Sequence, residues 1–219
     1  MKKNSATAVK TFFDDYASKF YSIYREEQKN IFSRFLDRTL RYSMFQRFEK
    51  VGIIIKETDS KNILDVGCGP GWHDILLARS QDVKITGIDV AQNMIDIANS
   101  HILNRNLEDK LNFITADIFD YKFDSKYDSV FALGVVEYFE KPEELISIMT
   151  NLSSKRVIFS IPVKNHWLTA QRRIRYKLRN CPLWFYDKNE IEHMLKTLGL
   201  TSYKIHVIDR DFLVEIITD

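Results

Sequence analysis

Three of the chain's seven glycines, Gly67, Gly69 and Gly71, alternate with Cys68 and Pro70 directly after the apolar run Asn62-Ile63-Leu64-Asp65-Val66. Glycine has no Cβ and reaches backbone conformations closed to other residues, so this concentration marks a turn where backbone comes close to something. Beyond it Trp72, Ile75, Leu76 and Arg79 follow helical spacing, and a helix starting at Gly71 presents unpaired N–H groups to the same place. Carboxylates stand around this turn in the sequence pattern: Asp65 just before it, Asp89 ending Gly87-Ile88-Asp89, and Asp117 in Thr115-Ala116-Asp117-Ile118. Such a carboxylate can accept from two hydroxyls of a ligand or cap the helix that follows it. For proton handling the candidates are His166, just beyond Pro162, and the neighbours Glu137 and Tyr138.

The elements that must position these groups alternate. Asn62 to Val66 reads as a buried strand, Val83 to Ile88 as a second, Leu111 to Thr115 as a third, Tyr127 to Leu133 as a fourth that ends at Gly134, and Arg156 to Ile161 as a fifth stopped by Pro162. Helices are expected after the glycine turn, over Ala91 to Asn104 with Met94, Ile97, Ala98 and His101 on one face, and over Glu143 to Leu152 behind Pro142. Strands alternating with helices mean a doubly wound parallel sheet. The ends break this rhythm. Residues 5–57 are helical in pattern, with Ile31, Phe35, Thr39, Tyr42, Phe45 and Phe48 recurring at three and four, and two or three helices are expected over the mouth of the sheet. Near the other end a helix from Asp187 to Leu198 stops at Gly199, and the runs Thr201 to Ile208 and Asp211 to Thr218, separated by Asp209-Arg210, should pair as a hairpin.

At 219 residues one α/β domain with a full core is the natural size. Hydrophobic residues at 45% and charged residues at 28% argue against disorder and against a membrane class. No apolar run approaches the ~18 residues that span a bilayer, and Met1-Lys2-Lys3-Asn4 leads into no signal-peptide core, so a cytoplasmic protein is expected. Cys68 and Cys181 form no CxxC and no histidine is spaced for zinc, so both read as free thiols and no metal is expected. Net charge is +2, yet no acidic residue lies between Glu144 and Asp187, where Lys155, Arg156, Lys164, Arg172, Arg173, Arg175, Lys177 and Arg179 fall.

Two families place a glycine turn after the first strand. A dinucleotide fold needs GxGxxG, whose third glycine would fall on Trp72. The stretch Ile63 to Trp72, an acid followed by GxGxG, instead resembles motif I of the class I S-adenosylmethionine-dependent methyltransferases. The resemblance implies a seven-stranded, mostly parallel sheet of order 3-2-1-4-5-7-6 with the last strand antiparallel. It implies S-adenosyl-L-methionine as cofactor, held by Asp65, Gly67, Cys68, Gly69 and Gly71 at the turn, with Asp89 on both ribose hydroxyls beside Val90 and Met94, and Asp117 on the adenine amino group beside Ile118. The segment Tyr127 to Tyr138 is similar to motif IV of small-molecule members, which puts Leu133 and Gly134 beside the methionine part and the sulfonium. Phe12 to Tyr21 resembles the opening helix of many members, which makes Tyr16 and Tyr21 candidates for a lid over the cofactor; plain packing of that helix is the alternative.

The expected organisation is one methyltransferase domain: a helical cap over 1–57, a cofactor core over 58–162, a basic acceptor-side insertion over 163–186, and a helix and hairpin over 187–219. Methyl transfer from a sulfonium is an in-line displacement for which alignment is the main requirement, and a base helps only if the acceptor is a hydroxyl or an amine. The sequence lacks the Asn/Asp-Pro-Pro-Tyr of nucleic-acid amino-methyltransferases, which favours a small-molecule acceptor. The basic stretch 164–179, with Trp167 and Tyr176 among six Lys or Arg, fits an anionic or lipid-linked acceptor, peripheral contact with an anionic membrane, or RNA. The rival classes are an RNA methyltransferase and a cofactor-binding module without turnover. Whether oxygen, nitrogen or carbon is methylated, and the oligomeric state, stay open.

Overall fold

A computed structural model describes residues 9–14, 31–103, 106–164, 169, 173, 176–178 and 181–218, with the helical backbone alone for 31–43. The strands are β1 (Asn62–Val66), β2 (Lys84–Asp89), β3 (Leu111–Thr115), β4 (Tyr127–Ala132), β5 (Ser153–Pro162), β6 (Tyr203–Ile208) and β7 (Asp211–Ile217). The helices are α1 (Ile31–Glu57), α2 (Trp72–Ser80), α3 (Gln92–Leu103), α4 (Glu143–Leu152) and α5 (Lys188–Thr197), with a short 3-10 turn at Val136–Tyr138 and a further helical stretch at 9–14. One seven-stranded sheet runs β3-β2-β1-β4-β5-β7-β6, as expected. β1 to β5 pair in parallel, and β7 is antiparallel to both β5 and β6. The two-residue link leaves no room for a crossover, and Asp209 takes the left-handed conformation (φ 51°) that Asp tolerates better than most residues.

Strand side chains alternate between the two faces, and that period sorts the core into two layers. Ile63, Ile85, Phe131, Ile158 and Leu213 face α1, α2 and α3 through Val51, Ile54, Ile55, Ile75, Ala78 and Ala98. Leu64, Val66, Val130, Val157, Phe159 and Val214 face α4 and α5 through Leu145, Ile146, Met149, Ile191 and Leu195. By the same alternation Asp65 and Ser160 fall on the α1–α2 side. The last helix begins with a capping box: Asp187 Oδ1 accepts from Glu190 N at 2.9 Å while Glu190 Oε2 accepts from Asp187 N at 2.7 Å.

Three local expectations change. The N-terminal cap does not lie only over the mouth of the sheet, because the second half of α1 packs into the core along its face. β5 starts at Ser153, directly after α4, although Ser153-Ser154-Lys155 carries no strand pattern; Ser153 Oγ donates to Arg156 O at 2.8 Å and lies 3.3 Å from Asp128 O at the start of the strand. β2 extends to Asp89, which pairs with Thr115, so the carboxylate expected at a ligand belongs to the strand itself.

Candidate functional site

The glycine turn leaves β1 and is tied to the neighbouring strand, with Gly67 N and Cys68 N both donating to Ile88 O at 2.7 and 3.2 Å. Gly67, Gly69 and Gly71 all have positive φ, but their surroundings differ. A Cβ on Gly67 would lie 2.4 Å from Val135 Cγ2 and one on Gly71 would lie 2.4 Å from Phe113 Cζ, so these two glycines make room for protein. A Cβ on Gly69 would meet nothing within 4 Å. The turn therefore offers one bare backbone position to a ligand rather than three. Trp72, where a dinucleotide fingerprint needs glycine, stacks at a tilt 4.5 Å from His101.

Asp89 stands beside that bare position. Its Oδ2 accepts from Gly69 N and its Oδ1 from Ala91 N, each at 2.9 Å, so it latches the turn and caps the approach to α3 at once. Burial raises its pKa, against which the N–H bonds from Ala91 and Gly69 work. Val90 is half-buried next to it, and Met94 is buried against Ala91, with Phe13 and Ile97 packed on the pair. Asp117, half-buried just past β3, accepts from Phe119 N at 3.1 Å through Oδ1, and Ile118 beside it is buried. Asp65 is buried at the end of β1 and meets Asp74 of α2, a residue that sequence reasoning missed because an Asp in a first helical turn reads as a partner of the helix dipole.

At the exit of β4, Leu133 and Gly134 are half-buried. Gly134 N donates to Ser160 Oγ at 2.8 Å, and the same hydroxyl accepts from Arg47 Nη1 at 3.1 Å. Arg47 also pairs with the buried Asp211 at 3.5 Å. Neither Arg47 nor Ser160 carries a local signal, since they meet only through the fold. Glu137 is fully buried, its Oε1 3.8 Å from where a Cβ on Gly134 would sit, and its carbonyl accepts from Trp184 N at 2.8 Å. The ring of Tyr138 lies 5.3 Å from Phe13 edge-on and 6.3 Å from Tyr176, and Phe12 lies 5.5 Å from Tyr176. Phe13 thus bridges the α3 side of the turn and the β4 exit, the span for which Tyr16 and Tyr21 were the candidates. Tyr16, Tyr21 and His166 lie outside the described residues, as do Trp167, Arg172, Arg175 and Arg179. Arg173 sits over the Phe185 ring at 4.9 Å, a cation–π contact.

A family model described as a methyltransferase domain matches residues 57–199, which include the turn, Asp89, Asp117 and the β4 exit. The chain belongs to the class I methyltransferase family. Among curated relatives it is 33% identical over 100 residues to the mitochondrial ubiquinone biosynthesis O-methyltransferase of Dictyostelium discoideum, which covers 42% of this chain and 31% of that protein. It is 27% identical over 138 residues to the O-methyltransferase rstn1 of Aspergillus nomiae, covering 59% of each. The chain thus spans three fifths or less of the length of these relatives. Among solved structures, magnesium protoporphyrin IX methyltransferase from Synechocystis PCC 6803 with bound SAH shares the methyltransferase fold, with a TM-score of 0.78 at 20% identity over 98% of this chain and 100% of that one. Among the described residues no group of three or more His, Cys, Asp or Glu is placed to hold a metal ion, and no helix is long and apolar enough to cross a membrane.

Proposed function

We propose that this methyltransferase domain binds S-adenosylmethionine against Gly69 and Asp89 and transfers its methyl group to a small-molecule acceptor at the β4 exit. The observation that carries the reading is the open space over Gly69 with the Asp89 carboxylate 2.9 Å from its N–H. That is the fit a ribose needs: backbone without a side chain in the way, beside an acceptor for hydroxyls. Asp89 accepts from backbone N–H groups through both oxygens, and its remaining acceptor capacity is proposed to take the ribose hydroxyls. Asp117 keeps Oδ2 for the adenine amino group, with Val90 and Ile118 along the ring, and Gly67, Cys68, Gly71 and Met94 shape the floor. Asp65, Leu133 and Gly134 border the methionine end.

When bound, the cofactor supplies an activated methyl on a sulfonium, so the protein contributes alignment and exclusion of water. Phe13 and Tyr138, in contact with each other, are placed to close part of that space, and Tyr16 and Tyr21 are the further residues proposed for a lid. Glu137, Tyr138 and His166 are the groups proposed to take a proton from a hydroxyl or amine acceptor. The acceptor is proposed to be anionic or lipid-linked: Arg47 lies one hydroxyl away from Gly134, and the stretch 164–179 carries six Lys or Arg in the sequence. The names of both O-methyltransferase relatives support oxygen as the methylated atom.

Calorimetry tests the binding step. Wild type should bind S-adenosylmethionine and S-adenosylhomocysteine, and Asp89→Ala should bind about 10- to 1,000-fold more weakly, since hydrogen bonds to a charged group are worth ~1.5–3 kcal/mol each. Wild type without affinity for either ligand would end this reading. Binding of tRNA or rRNA that weakens steeply with salt would replace the small-molecule acceptor with RNA.

A further inference from the structure

Two carboxyl groups face each other underneath the glycine turn. Alternation along β1 directs Asp65 to the side of Ile63, where α2 packs, and Asp74 lies in the first turn of α2 among the buried residues Ile75, Leu77 and Ala78. Asp65 is 3% exposed and Asp74 fully buried. Neither Asp74 oxygen has an N–H or hydroxyl donor, and its hydrogen-bonding neighbour is the Asp65 carboxyl. Two ionised carboxylates are acceptors only and cannot hydrogen-bond to each other, so at least one proton sits between them.

The charges that act on Asp65 are those of Asp74 and Asp89, both negative. Among the described residues, the buried or half-buried ionisable groups on the elements around the pair include Cys68 in the turn, His73 on α2, His101 on α3 and Arg47 on α1. Cys68 is pushed up by burial and then by Asp89, Asp65 and Asp74, so the field of all three carboxyls converges on the turn. His73 is held neutral, lowered to about 4 by burial and by Arg47. Burial raises both members of the pair, Asp74 to about 8, so near neutral pH the protonated form dominates.

We infer that Asp74 is a positioning residue that shares protons with Asp65, and that a cationic ligand group settling against the turn drives one proton out of the pair. The inference rests on the reading that S-adenosylmethionine or its product occupies the turn, since both carry the ammonium of a methionine-type end. In the free protein the pair holds its protons because both carboxyls are buried, and the charges of Asp74 and Asp89 on Asp65 add to that effect. An ammonium beside Asp65 stabilises the ionised form: one O–H bond breaks, the proton passes to the buffer, and the remaining proton stays shared, with Asp74 holding the Asp65 carboxylate in place. Binding is then linked to proton release, and affinity rises with pH by up to about tenfold per unit while the pair is protonated in the free protein. An uncharged neighbour in place of Asp74 removes the second proton site and keeps a hydrogen-bond donor for Asp65.

The test is calorimetric titration of the full chain with S-adenosylhomocysteine at pH 6.5, 7.5 and 8.5, in phosphate and in Tris, whose different ionisation heats count the protons released. Wild type should release a large fraction of one proton at pH 6.5 and progressively less at higher pH. Asp74→Asn should release far less, bind more tightly than wild type at pH 6.5, and match it at pH 8.5. Heats independent of buffer in wild type, or equal release by Asp74→Asn, would overturn the inference while leaving cofactor binding intact. A ligand-free arm keeps the two readings apart. With its folded pKa raised, Asp74 contributes stability that is full below about pH 4 and is lost as pH climbs toward about 8, so melting of wild type should decline over that window more than melting of Asp74→Asn. Asp65→Asn removes the pair from the other side and should flatten the same slope; parallel curves for all three proteins would sink the shared proton whatever the ligand does.

Discussion

The two halves of the site are built by different means. Around β1, β2 and β3 the proposed cofactor side is made of short-range chemistry: a glycine turn, two aspartates each bonded to a backbone N–H two residues on, and strands whose tips meet in register. At the exits of β4 and β5 the proposed acceptor side is assembled from residues far apart in the chain, with Arg47 reaching Ser160 across 113 positions and Phe12 and Phe13 reaching Tyr176 and Tyr138. Backbone-built sites tolerate little change, whereas a side made from distant side chains can be altered piecemeal. One fold can thus keep its cofactor and vary its acceptor.

The sharpest way to break that comparison is inside the turn itself. Gly71→Val places a branched side chain where Phe113 already lies 2.4 Å from a Cβ, at φ 69°, so overpacking and backbone strain add to about 3 kcal/mol or more. Thermal or denaturant melting should show a large loss or no folded protein. Gly69→Ala meets no atom and suffers only the left-handed backbone, about 1–2 kcal/mol. Its larger effect should be on S-adenosylhomocysteine affinity. If the two variants lost equal stability, the division of the glycines into packing and ligand-facing positions would be wrong.

A smaller effect is expected where the halves meet. His73 follows the turn on α2 and stacks on Phe48 of α1 at 5.1 Å, beside Arg47. Burial first, and Arg47 second, lower its pKa from 6.5 to about 4. The unfolded chain therefore binds more protons than the native one between those values, so stability is full above about pH 6.5 and is lost as pH falls toward 4. The contribution is about 1–3 kcal/mol, and His73→Phe, which keeps a ring on Phe48, should narrow the gap in melting temperature between pH 7 and pH 4.5. An unchanged gap would mean that His73 titrates in the native protein as it does unfolded.

Legibility divides along the same line as construction. The turn, the strand order and the hairpin could be read because glycine, proline and a two-residue Asp209-Arg210 link act locally and leave a mark at the position they control. Asp74, Arg47 and Ser160 left no such mark, since their meaning comes from alternation on β1 and β5 and from the way α1 and α2 lie on that face. Asp89 shows the middle case: its place after Gly87-Ile88 fits a ligand acceptor and a cap alike, and in the structure the carboxylate accepts from Ala91 N. The pattern of three glycines implies one ligand cradle, but Phe113 from β3 and Val135 from the β4 exit take the Cβ space at Gly71 and Gly67.

The mildest expected effect concerns the segment 163–186, proposed to lie on the acceptor side, whose exchange should change acceptor choice and leave cofactor affinity within a few-fold. Its two ends are already joined: Val163 bridges Tyr186 in parallel, and Lys164 N donates to Tyr186 O at 3.0 Å. A segment that leaves and returns at one point can be replaced without moving the strand and helix on either side, provided the joining pair is kept. Among the described residues its hydrogen bonds to the rest run to the β4 exit and α5, through Trp184 N on Glu137 O, Tyr186 Oη on Phe139 O and Glu140 O, and Lys164 Nζ on Glu190, while the Tyr176 ring meets Tyr138 and Phe12. The exchange should therefore carry the corresponding segment of a relative, retain Val163 and Tyr186, and be read in two ways, by calorimetry with S-adenosylhomocysteine and by turnover of the relative's acceptor. Cofactor affinity that collapses together with an unchanged acceptor preference would show that this segment serves the turn after all, and that the two halves of the site are not separable.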